Sequence, residues 1–319
     1  MKHKELLFKS MKIALAAILA IAIAAELGLK YSATAGIITI LSIQNTKKET
    51  FKTAGRRALA FLCALLLAAG AFGVLGFTLP AFAIYLFLFA LLCLNRGWTE
   101  AISVDSVLIS HFLAEKSMSF DMLLNEGAIF VIGVSLGILV NLHLHHKSDE
   151  FDRLAAEVDE QIRGILYRMS EWLVKEDKSG YNSDCFAGLE KSLEAARLCA
   201  AANYNNRLWG NDTYEIEYIT MRQQQAVVLQ GIYENIKSIC YLPGQAVEVS
   251  ALLQEIWRQY HKNNTVEDLL MRLQKLLDEM KGQKLPESRE EFEARAILFY
   301  ILMQLRKMLV LKREFVRKY

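Results

Sequence analysis

The sequence predicts an all-α protein, in which a six-span transmembrane helical bundle is followed by a cytosolic α-helical bundle. The long apolar runs are confined to residues 1–146, whereas residues 147–319 show helical periodicity with charged faces. Net charge changes sign at the same point. The first part has twelve Lys and Arg against eight Asp and Glu, and the second has 25 against 27. We therefore expect a transmembrane domain over 1–146 and a cytosolic domain over 147–319.

The transmembrane domain contains six apolar runs. The first, third and sixth are long enough to cross a hydrocarbon core of about 30 Å at about 1.5 Å per residue, and the fourth is marginal. The second and fifth have the short lengths typical of buried or re-entrant segments. The spans are expected near 13–29, 31–45, 58–77, 79–94, 101–114 and 122–144.

The distribution of basic residues indicates that both short runs cross the membrane. If all six runs cross and the N-terminus is inside, ten Lys and Arg face the cytosol and only Lys30 and Lys116 lie outside. This bias fits the positive-inside rule, so we expect both termini in the cytoplasm. The ten are Lys2, Lys4, Lys9, Lys12, Lys47, Lys48, Lys52, Arg56, Arg57 and Arg96.

The order of run lengths suggests a 3+3 inverted repeat. A long, a short and a long run are followed by a marginal, a short and a long run, and a shift of about 68 residues aligns the two sets. A three-span unit that is repeated once must be inverted in the membrane, and paired short segments in such repeats point to a transport site. The alternative, that six spans simply resemble two groups of three, stays open.

Small residues in the runs predict a tightly packed bundle, because lipid supplies no hydrophobic drive for helix association. One set lies in the first run, one in the third, and a GxxxG motif lies in the sixth. The three sets are Ala16, Ala20 and Ala24; Gly70, Gly73 and Gly76; and Gly133 and Gly137.

The cytosolic domain is predicted to be entirely helical. Its first helix opens at Ser148 as a cap, and Thr265 is expected to cap a later amphipathic helix. Gly, Pro and Asn residues mark the breaks between segments. The later helices are expected at about 184–209, 212–242, 245–261, 265–281 and 288–317.

The sequence contains none of the common catalytic or nucleotide-binding signatures. P-loop, GxGxxG, HExxH and nucleophile-elbow patterns are missing, so we predict no enzyme activity, no cofactor and no nucleic-acid partner. His143, His145 and His146 could suggest a metal site, but their spacing does not place three ligands on one helix face. A contact with lipid headgroups is the favoured interpretation, and no metal is predicted.

Residues 32–57, SATAGIITILSIQNTKKETFKTAGRR, follow a first span rich in small residues and resemble the bacterial aromatic acid exporter family. This family belongs to the wider group of fusaric-acid-resistance-like transporters. The matching positions are Thr34, Gln44, Thr46 and the basic run to Arg57. The sequence departs from many relatives at Asn45, where they have proline, and at Ala60, where they have glycine.

The resemblance covers the whole plan of six spans followed by a cytosolic helical domain. It implies a multi-pass protein of the bacterial plasma membrane that exports aromatic or related organic carboxylate anions. Plant malate channels share the plan and work as dimers, which implies a homodimer here. The expected partners are therefore membrane lipids, a small organic anion and a second copy of the chain.

Ionisable residues inside spans cost about 2.5–3.5 kcal/mol on insertion scales, so each one suggests a function. Asp105 lies inside the short fifth run and is the best candidate for a proton site or substrate gate. His111 lies near the outer side, and histidine can change its charge near physiological pH. Glu26 near the end of the first run either serves transport or reaches the headgroups. The full set of transport candidates is Asp105, Glu26, His111, Gln44 and Asn45.

Four basic residues are candidates for attracting an anion to the cytosolic mouth of the pathway: Lys52, Arg56, Arg57 and Arg96. The planar fork of arginine suits a carboxylate because it can bond both oxygens. The alternative is that these charges only set the membrane topology. At the start of the sixth run, Asn125 and Glu126 are interpreted as helix caps.

Three functions remain open at this point. The first is a secondary exporter of aromatic or related organic acids. The second is a passive organic-anion channel of the same architecture. The third is a membrane-anchored interaction or sensory protein, against which the position of Asp105 inside an apolar run argues.

Overall fold

A computed structural model describes residues 2–142, 148–208, 210, 212–261 and 264–319. Within these residues the chain forms twelve α-helices and no strand, which confirms the predicted all-α class. The chain divides into two compact units, Met1–His146 with Asn205–Trp209, and Lys147–Tyr204 with Gly210–Tyr319. The histidine group at 143–146 lies outside the described residues.

The first unit contains helices α1 to α6, and four of them are long and apolar enough to cross a membrane. The other two, α2 and α5, are the short runs of the sequence, with 10 and 17 residues. The bounds are α1 Lys2–Glu26, α2 Ala33–Ser42, α3 Lys47–Leu75, α4 Leu79–Arg96, α5 Thr99–Glu115 and α6 Phe120–Leu142.

The short helices lie inside the bundle and contact each other. Helix α2 packs against α1 and α6, and α5 packs against α3 and α4. The two halves of the bundle make matching contacts when α1 is exchanged with α4, α2 with α5 and α3 with α6. The contacts α1–α2, α2–α6 and α1–α6 then become α4–α5, α5–α3 and α4–α3, and all six are present. The α3–α6 and α2–α5 contacts map onto themselves, and the small α2–α3 contact corresponds to the α5–α6 contact made by His111 and Glu126. This pattern is the one expected of a repeated three-helix unit.

Glycines allow α2 to lie close to both neighbours. A Cβ placed on Gly36 of α2 would lie 2.9 Å from the Ala17 carbonyl oxygen of α1. A Cβ on Gly137 of α6 would lie 2.5 Å from Ser42 Cβ at the end of α2. The GxxxG motif therefore forms a close helix contact, as predicted.

The expectation for the glycines of the third run is wrong. A Cβ at Gly70, Gly73 or Gly76 would meet nothing within 4 Å, so these glycines mediate no close approach. Gly76 instead ends α3 with a φ of +67°, a conformation that glycine adopts without strain. The alanines of the first run, in contrast, are buried as expected: Ala16, Ala20 and Ala24.

The second unit is a bundle of six amphipathic helices. All five predicted later helices begin within two residues of their expected starts and end within four of their expected ends. The Thr265 cap is wrong, because α11 begins at Glu267 and its N-cap position is Val266. The helices are α7 Ser148–Leu173, α8 Asp184–Asn206, α9 Tyr214–Ser238, α10 Gln245–Gln259, α11 Glu267–Lys281 and α12 Arg289–Lys318.

A polar network lies in the core of this second unit. Arg222 of α9 is fully buried, and its Nε lies 2.9 Å from Asp159 Oδ1 of α7. Its guanidinium also donates to the hydroxyl of Tyr218 at 2.9 Å. Lys312 of α12 is buried beside this group and donates to the carbonyl oxygen of His261. Burial lowers the pKa of the Lys312 amine to about 7, and the Arg222 charge acts in the same direction.

Candidate transport site

The connections between the six helices of the first unit alternate between two ends of the bundle. At one end, named here the Tyr31 end, the α1–α2 connection meets the end of α5 and the start of α6. Lys30 of this connection contacts α5, with its Nζ 2.6 Å from Glu115 Oε2. The backbone N–H of Lys30 donates to Asn125 Oδ1 of α6 at 2.8 Å. At the other end, named the Thr46 end, Asn141 of α6 donates to the Gln44 carbonyl oxygen at 2.8 Å. The end of α2 and the end of α6 therefore meet there.

Asp105 lies in the interior between these two ends. It is 0 % exposed on α5, about 9 Å along the helix from its first residue. Neither carboxylate oxygen has a hydrogen-bond partner among the described residues. The positive charge that acts on it is that of Arg57 on α3, which is itself 3 % exposed.

Arg57 is held in place by one polar contact. Its Nη1 donates to Ser42 Oγ, at the end of α2, over 3.1 Å. Its Nε has no hydrogen-bond partner in the described part of the chain, so the guanidinium retains an unused donor inside the bundle. Since the guanidinium can bond both oxygens of a carboxylate, this is a geometry that can accept an organic acid.

Two more polar groups are buried near Asp105, the hydroxyls of Tyr85 on α4 and Ser106 on α5, which interact with each other and not with the Asp105 carboxylate. Buried polar groups in proteins are almost always hydrogen-bonded, so the Asp105 carboxylate requires an explanation. Four helices thus contribute polar groups to one interior region: α2 through Ser42, α3 through Arg57, α4 through Tyr85 and α5 through Asp105.

The Tyr31 end of the bundle is closed by a buried ion-pair geometry. His111 Nδ1 of α5 lies 2.7 Å from Glu126 Oε2 of α6, and Glu126 is 0 % exposed. Asn125 Nδ2 donates to the other oxygen, Oε1, at 3.0 Å. The Tyr31 ring stacks on the His111 ring with 4.0 Å between centroids. Both carboxylate oxygens of Glu126 are therefore bonded, in contrast to those of Asp105.

This geometry corrects the interpretation of Asn125 and Glu126 as caps. Helix α6 begins at Phe120, and Ser119 Oγ accepts from the Met122 N–H at 3.4 Å. Asn125 and Glu126 consequently lie in the second turn of α6 and point into the protein. The sequence contained a signal for this, because Glu126 lies seven residues before Gly133 and so shares its helix face.

The remaining candidates lie at the surface or close to it. Glu26 is the exposed last residue of α1, and Asn45 is exposed in the connection to α3. Gln44 is half-buried, and its backbone oxygen accepts from Asn141. Of the four basic candidates, Lys52 and Arg96 are exposed, Arg56 is half-buried and only Arg57 is buried. Arg57 is therefore the one buried base of the four, and its charge acts on Asp105 without an ion pair between them.

Asn141 and Tyr85 were not among the predicted residues. Asn141 Nδ2 donates to Thr50 Oγ1 at 2.6 Å and so joins α6 to α3 at the Thr46 end. It lies four residues after Gly137, which places it on the same helix face as the GxxxG motif. Tyr85 lies in a uniformly apolar run, where hydropathy alone gives no indication that its hydroxyl would lie near an acid.

A bundle of apolar helices that buries an unpaired acid and a partly unpaired arginine is the architecture of a membrane transport protein. The chain belongs to the aromatic acid exporter family, which is a family of efflux transporters. Residues 5–144 match the family described as aromatic acid exporter family member 1. Residues 148–313 match the putative aromatic acid exporter C-terminal domain. This confirms the family that residues 32–57 resemble.

Two further similarities were found. The uncharacterized protein YqjA of Bacillus subtilis (strain 168) is 25% identical over 308 residues, which cover 97% of this chain and 95% of YqjA. A crystal structure of a putative membrane protein from Clostridium difficile 630 is 27% identical and has a TM-score of 0.46. It covers 53% of this chain and 99% of that protein.

Proposed function

We propose that this protein exports aromatic or related organic carboxylate anions, with Arg57 as the anion-binding residue and Asp105 as the gate. The observation that carries the proposal is the unpaired, 0 % exposed carboxylate of Asp105 within electrostatic range of a buried guanidinium. An acid in such a position is costly, and purely structural acids in membranes pair with a cation at hydrogen-bond distance.

Asp105 and a substrate carboxylate would compete for the same positive charge. With the site empty, an ionised Asp105 stabilises the buried Arg57, whereas burial favours the neutral acid. When a substrate carboxylate bonds to the guanidinium, the two anions repel each other, and a change in the position or protonation of Asp105 relieves that repulsion. Binding of the anion is thereby linked to a change at α5, one of the two short helices.

We further propose that both short helices cross the membrane, giving six spans with both termini on the cytoplasmic side. The alternating connections support this, because α2 and α5 each begin at one end of the bundle and finish at the other. The Thr46 end carries the basic residues Lys47 to Arg57 and Arg96, which the positive-inside rule assigns to the cytoplasm. Longer neighbours on both sides would shield the ends of α2 from lipid.

The proposal is tested with purified protein in liposomes that contain a labelled hydroxybenzoate. We expect Asp105→Asn to remain abundant and folded but to lose efflux, because asparagine keeps the size and a carbonyl acceptor while removing the charge. Arg57→Gln should weaken apparent affinity more than about tenfold, since the loss of one partner of a buried charged pair costs about 2–5 kcal/mol.

Arg56→Gln is the matched control, because Arg56 is the adjacent arginine and lies closer to the surface. It should keep both efflux and affinity. An Asp105→Asn protein that exports at the wild-type rate would contradict the assignment. Loss of abundance and melting temperature in that variant would instead identify Asp105 as a structural residue. Voltage-driven flux without any coupled ion would identify a passive channel.

A further inference from the structure

The buried faces of α3 and α6 match when the sequence is shifted by 69 residues, one more than the run lengths suggest. All but one of the buried positions of α3 then fall on buried positions of α6. The exception is Thr50, which falls on Ser119 just before α6 begins. The matching pairs are Thr53 and Met122, Arg57 and Glu126, Ala60 and Ile129, Phe61 and Phe130, Ala64 and Gly133, Ala68 and Gly137, and Phe72 and Asn141.

Two equivalent phenylalanines mark the axis that relates the two halves of the bundle. Phe61 and Phe130 stack on each other, with 5.0 Å between ring centroids and 8° between ring planes. In a two-fold relationship, a residue contacts its own equivalent only at the axis. The backbone follows the same shift, because Gly28 and Gly97 both have a positive φ, at +68° and +67°. The shift of 69 therefore defines equivalent residues in the two halves.

The same shift relates two buried polar pairs. It takes Ser42 to His111, and it takes Arg57 to Glu126. We name Ser42 and Arg57 the inner pair, whose contact is 3.1 Å long, and His111 and Glu126 the outer pair, whose contact is 2.7 Å long. Each pair joins a short helix to the long helix that follows it, across 15 residues of sequence. Because the repeat is inverted, the two pairs close opposite ends of the bundle.

The polar groups between these pairs are not repeated. Gly36 of α2 occupies the position equivalent to Asp105 of α5, and Ala16 of α1 occupies the position equivalent to Tyr85 of α4. The end contacts are thus present twice, whereas the buried acid is present once. A single polar region between two equivalent contacts is the arrangement that alternating access around a fixed site requires.

We propose that the outer pair closes the outer mouth of the transport pathway, that the inner pair closes the inner mouth, and that the two pairs open in alternation. The proposal rests on the proposed export function and on the topology that places the Tyr31 end outside. Alternating access moves one repeat against the other around the binding site. Contacts that are equivalent under the repeat are therefore broken at opposite ends, one at a time.

The two pairs are not closed to the same degree. Glu126 is 0 % exposed, and Asn125 Nδ2 donates to its second oxygen at 3.0 Å. The Tyr31 ring covers His111, with 4.0 Å between ring centroids. In the inner pair, Arg57 Nε has no hydrogen-bond partner in the part of the chain that the structure describes. The structure therefore has a firmly closed outer mouth and an inner mouth held by one bond.

The charges of the two pairs suit movement of an anion from inside to outside. The guanidinium of Arg57 attracts a carboxylate that arrives from the cytosol. An ionised Glu126 repels anions that approach from outside, and so opposes their return. Lys30 at the same end does not offset this charge, because its Nζ lies 2.6 Å from Glu115 Oε2. The equivalent positions thus carry opposite charges on the two sides.

The test uses single cysteines as reporters in an otherwise cysteine-free protein, with an impermeant thiol reagent. Leu108→Cys lies on α5 between His111 and Asp105, and Thr39→Cys lies at the equivalent position of α2. Both native side chains are 0 % exposed, so both reporters should react slowly in the resting protein. Intact cells present the outer side to the reagent, and inverted membrane vesicles present the inner side.

Glu126→Gln should raise the labelling rate of Leu108→Cys in intact cells about tenfold, because it weakens a charge-assisted hydrogen bond that holds the outer mouth shut. Labelling of Thr39→Cys in inverted vesicles should not rise. Ser42→Ala should have the reverse effect, since it removes the contact of the inner pair. All variants are compared at equal abundance and with their melting temperatures measured.

Glu115→Gln is the matched control. It also removes a carboxylate at the Tyr31 end, but Glu115 contacts the exposed Lys30 and belongs to neither pair. Labelling of both reporters should stay at the wild-type rate. A second comparison separates hydrogen bonding from ring volume at His111. The amide nitrogen of His111→Asn stands near the position of Nδ1 and can donate to Glu126, so Leu108→Cys should stay protected, whereas His111→Ala should expose it.

Three results would overturn the proposal. Unchanged labelling of Leu108→Cys in both Glu126→Gln and His111→Ala would show that the outer pair does not close the pathway. An equal rise for Leu108→Cys and Thr39→Cys would show general loosening of the bundle and hence a structural role. A rise for Leu108→Cys in inverted vesicles but not in cells would place the pair on the inner side.

Failure of the proposed function has a different signature. Labelling needs no substrate, so the expected rates together with a lack of hydroxybenzoate efflux would leave the two mouths in place and refute the substrate. The reverse outcome, efflux without any change at the reporters, would refute only the role of the outer pair.

Discussion

Gly133 of α6 lies directly against Ile38 of α2. A Cβ placed on Gly133 would lie 2.6 Å from Ile38 Cβ and 2.8 Å from the Ala35 carbonyl oxygen, distances that real side chains do not reach. The two backbones therefore touch at this point. The contact holds a helix of only 10 residues inside a bundle of longer ones.

Gly133→Ala should destabilise the protein by about 1–3 kcal/mol, the usual cost of adding volume to a packed interior. The neighbour is the branched Cβ of Ile38 and a backbone oxygen, neither of which can move away by a rotamer change. The measurement is the melting temperature of the detergent-solubilised protein. Gly127→Ala on the same helix is the control, because a Cβ there would meet nothing within 4 Å. Equal melting temperatures for both variants would contradict the close contact.

Glu126→Ala should cost about 1–3 kcal/mol, because it leaves the buried ring nitrogen of His111 and the amide of Asn125 without their hydrogen-bond partner. The pair spans 2.7 Å and joins α5 to α6. The control is Glu115→Gln at the same end of the bundle, where Glu115 contacts the exposed Lys30. Exposed ion pairs contribute little, so this variant should melt like the wild type. If Glu126→Ala also melts like the wild type, the pair does not secure the Tyr31 end.

The stability of the second unit should rise with pH above about 7 because of Lys312. Its folded-state pKa is lowered to about 7 by burial, whereas the unfolded lysine titrates near 10.5. Between these values the unfolded state binds more protons than the folded state, so deprotonation favours folding. Below about pH 7 both states are protonated, and the cost of the buried charge is then constant.

This contribution is measured as the difference in the free energy of unfolding between the wild type and Lys312→Met. Unfolding by urea at pH 7 and pH 9, followed by tryptophan fluorescence, should show the wild type gaining up to about 1 kcal/mol per pH unit relative to the variant. Titratable groups that both proteins share contribute equally to the pH dependence of each, so their contributions cancel in this difference. A difference that does not change with pH would mean that Lys312 keeps its charge in the folded state.

Single-cysteine labelling tests the topology. In intact cells, an impermeant thiol reagent should label Ser117→Cys and leave Lys48→Cys and Glu150→Cys unlabelled. The reason is that Ser117 follows α5 at the Tyr31 end, whereas Lys48 belongs to the basic segment that the positive-inside rule retains inside. Permeabilised cells, in which all three should react, supply the control. Labelling of Lys48→Cys in intact cells would place the basic segment outside and exclude six spans.

Much of the fold was determined by the sequence alone. The long apolar runs define the four helices that can cross a membrane, because a backbone in lipid must satisfy its own hydrogen bonds and such helices are recognised by length and hydropathy. The amphipathic period from Ser148 onward defines the second bundle in the same local way. The GxxxG pattern of α6 predicted a close contact, and Asp105 was recognised as an acid within an apolar run.

Only the tertiary structure decided which polar residues lie together. Arg57 differs from Arg56 and Lys52 by the direction of its side chain relative to α2 and α5, which depends on how three helices pack and not on local pattern. An acidic residue such as Glu126 is typical of a helix start, and the local sequence suggests that role. The helix begins six residues earlier at Phe120, however, so the Glu126 side chain points into the bundle and contacts His111. A buried charge is stabilised by partners that are distant in the chain, and the sequence around it does not contain them.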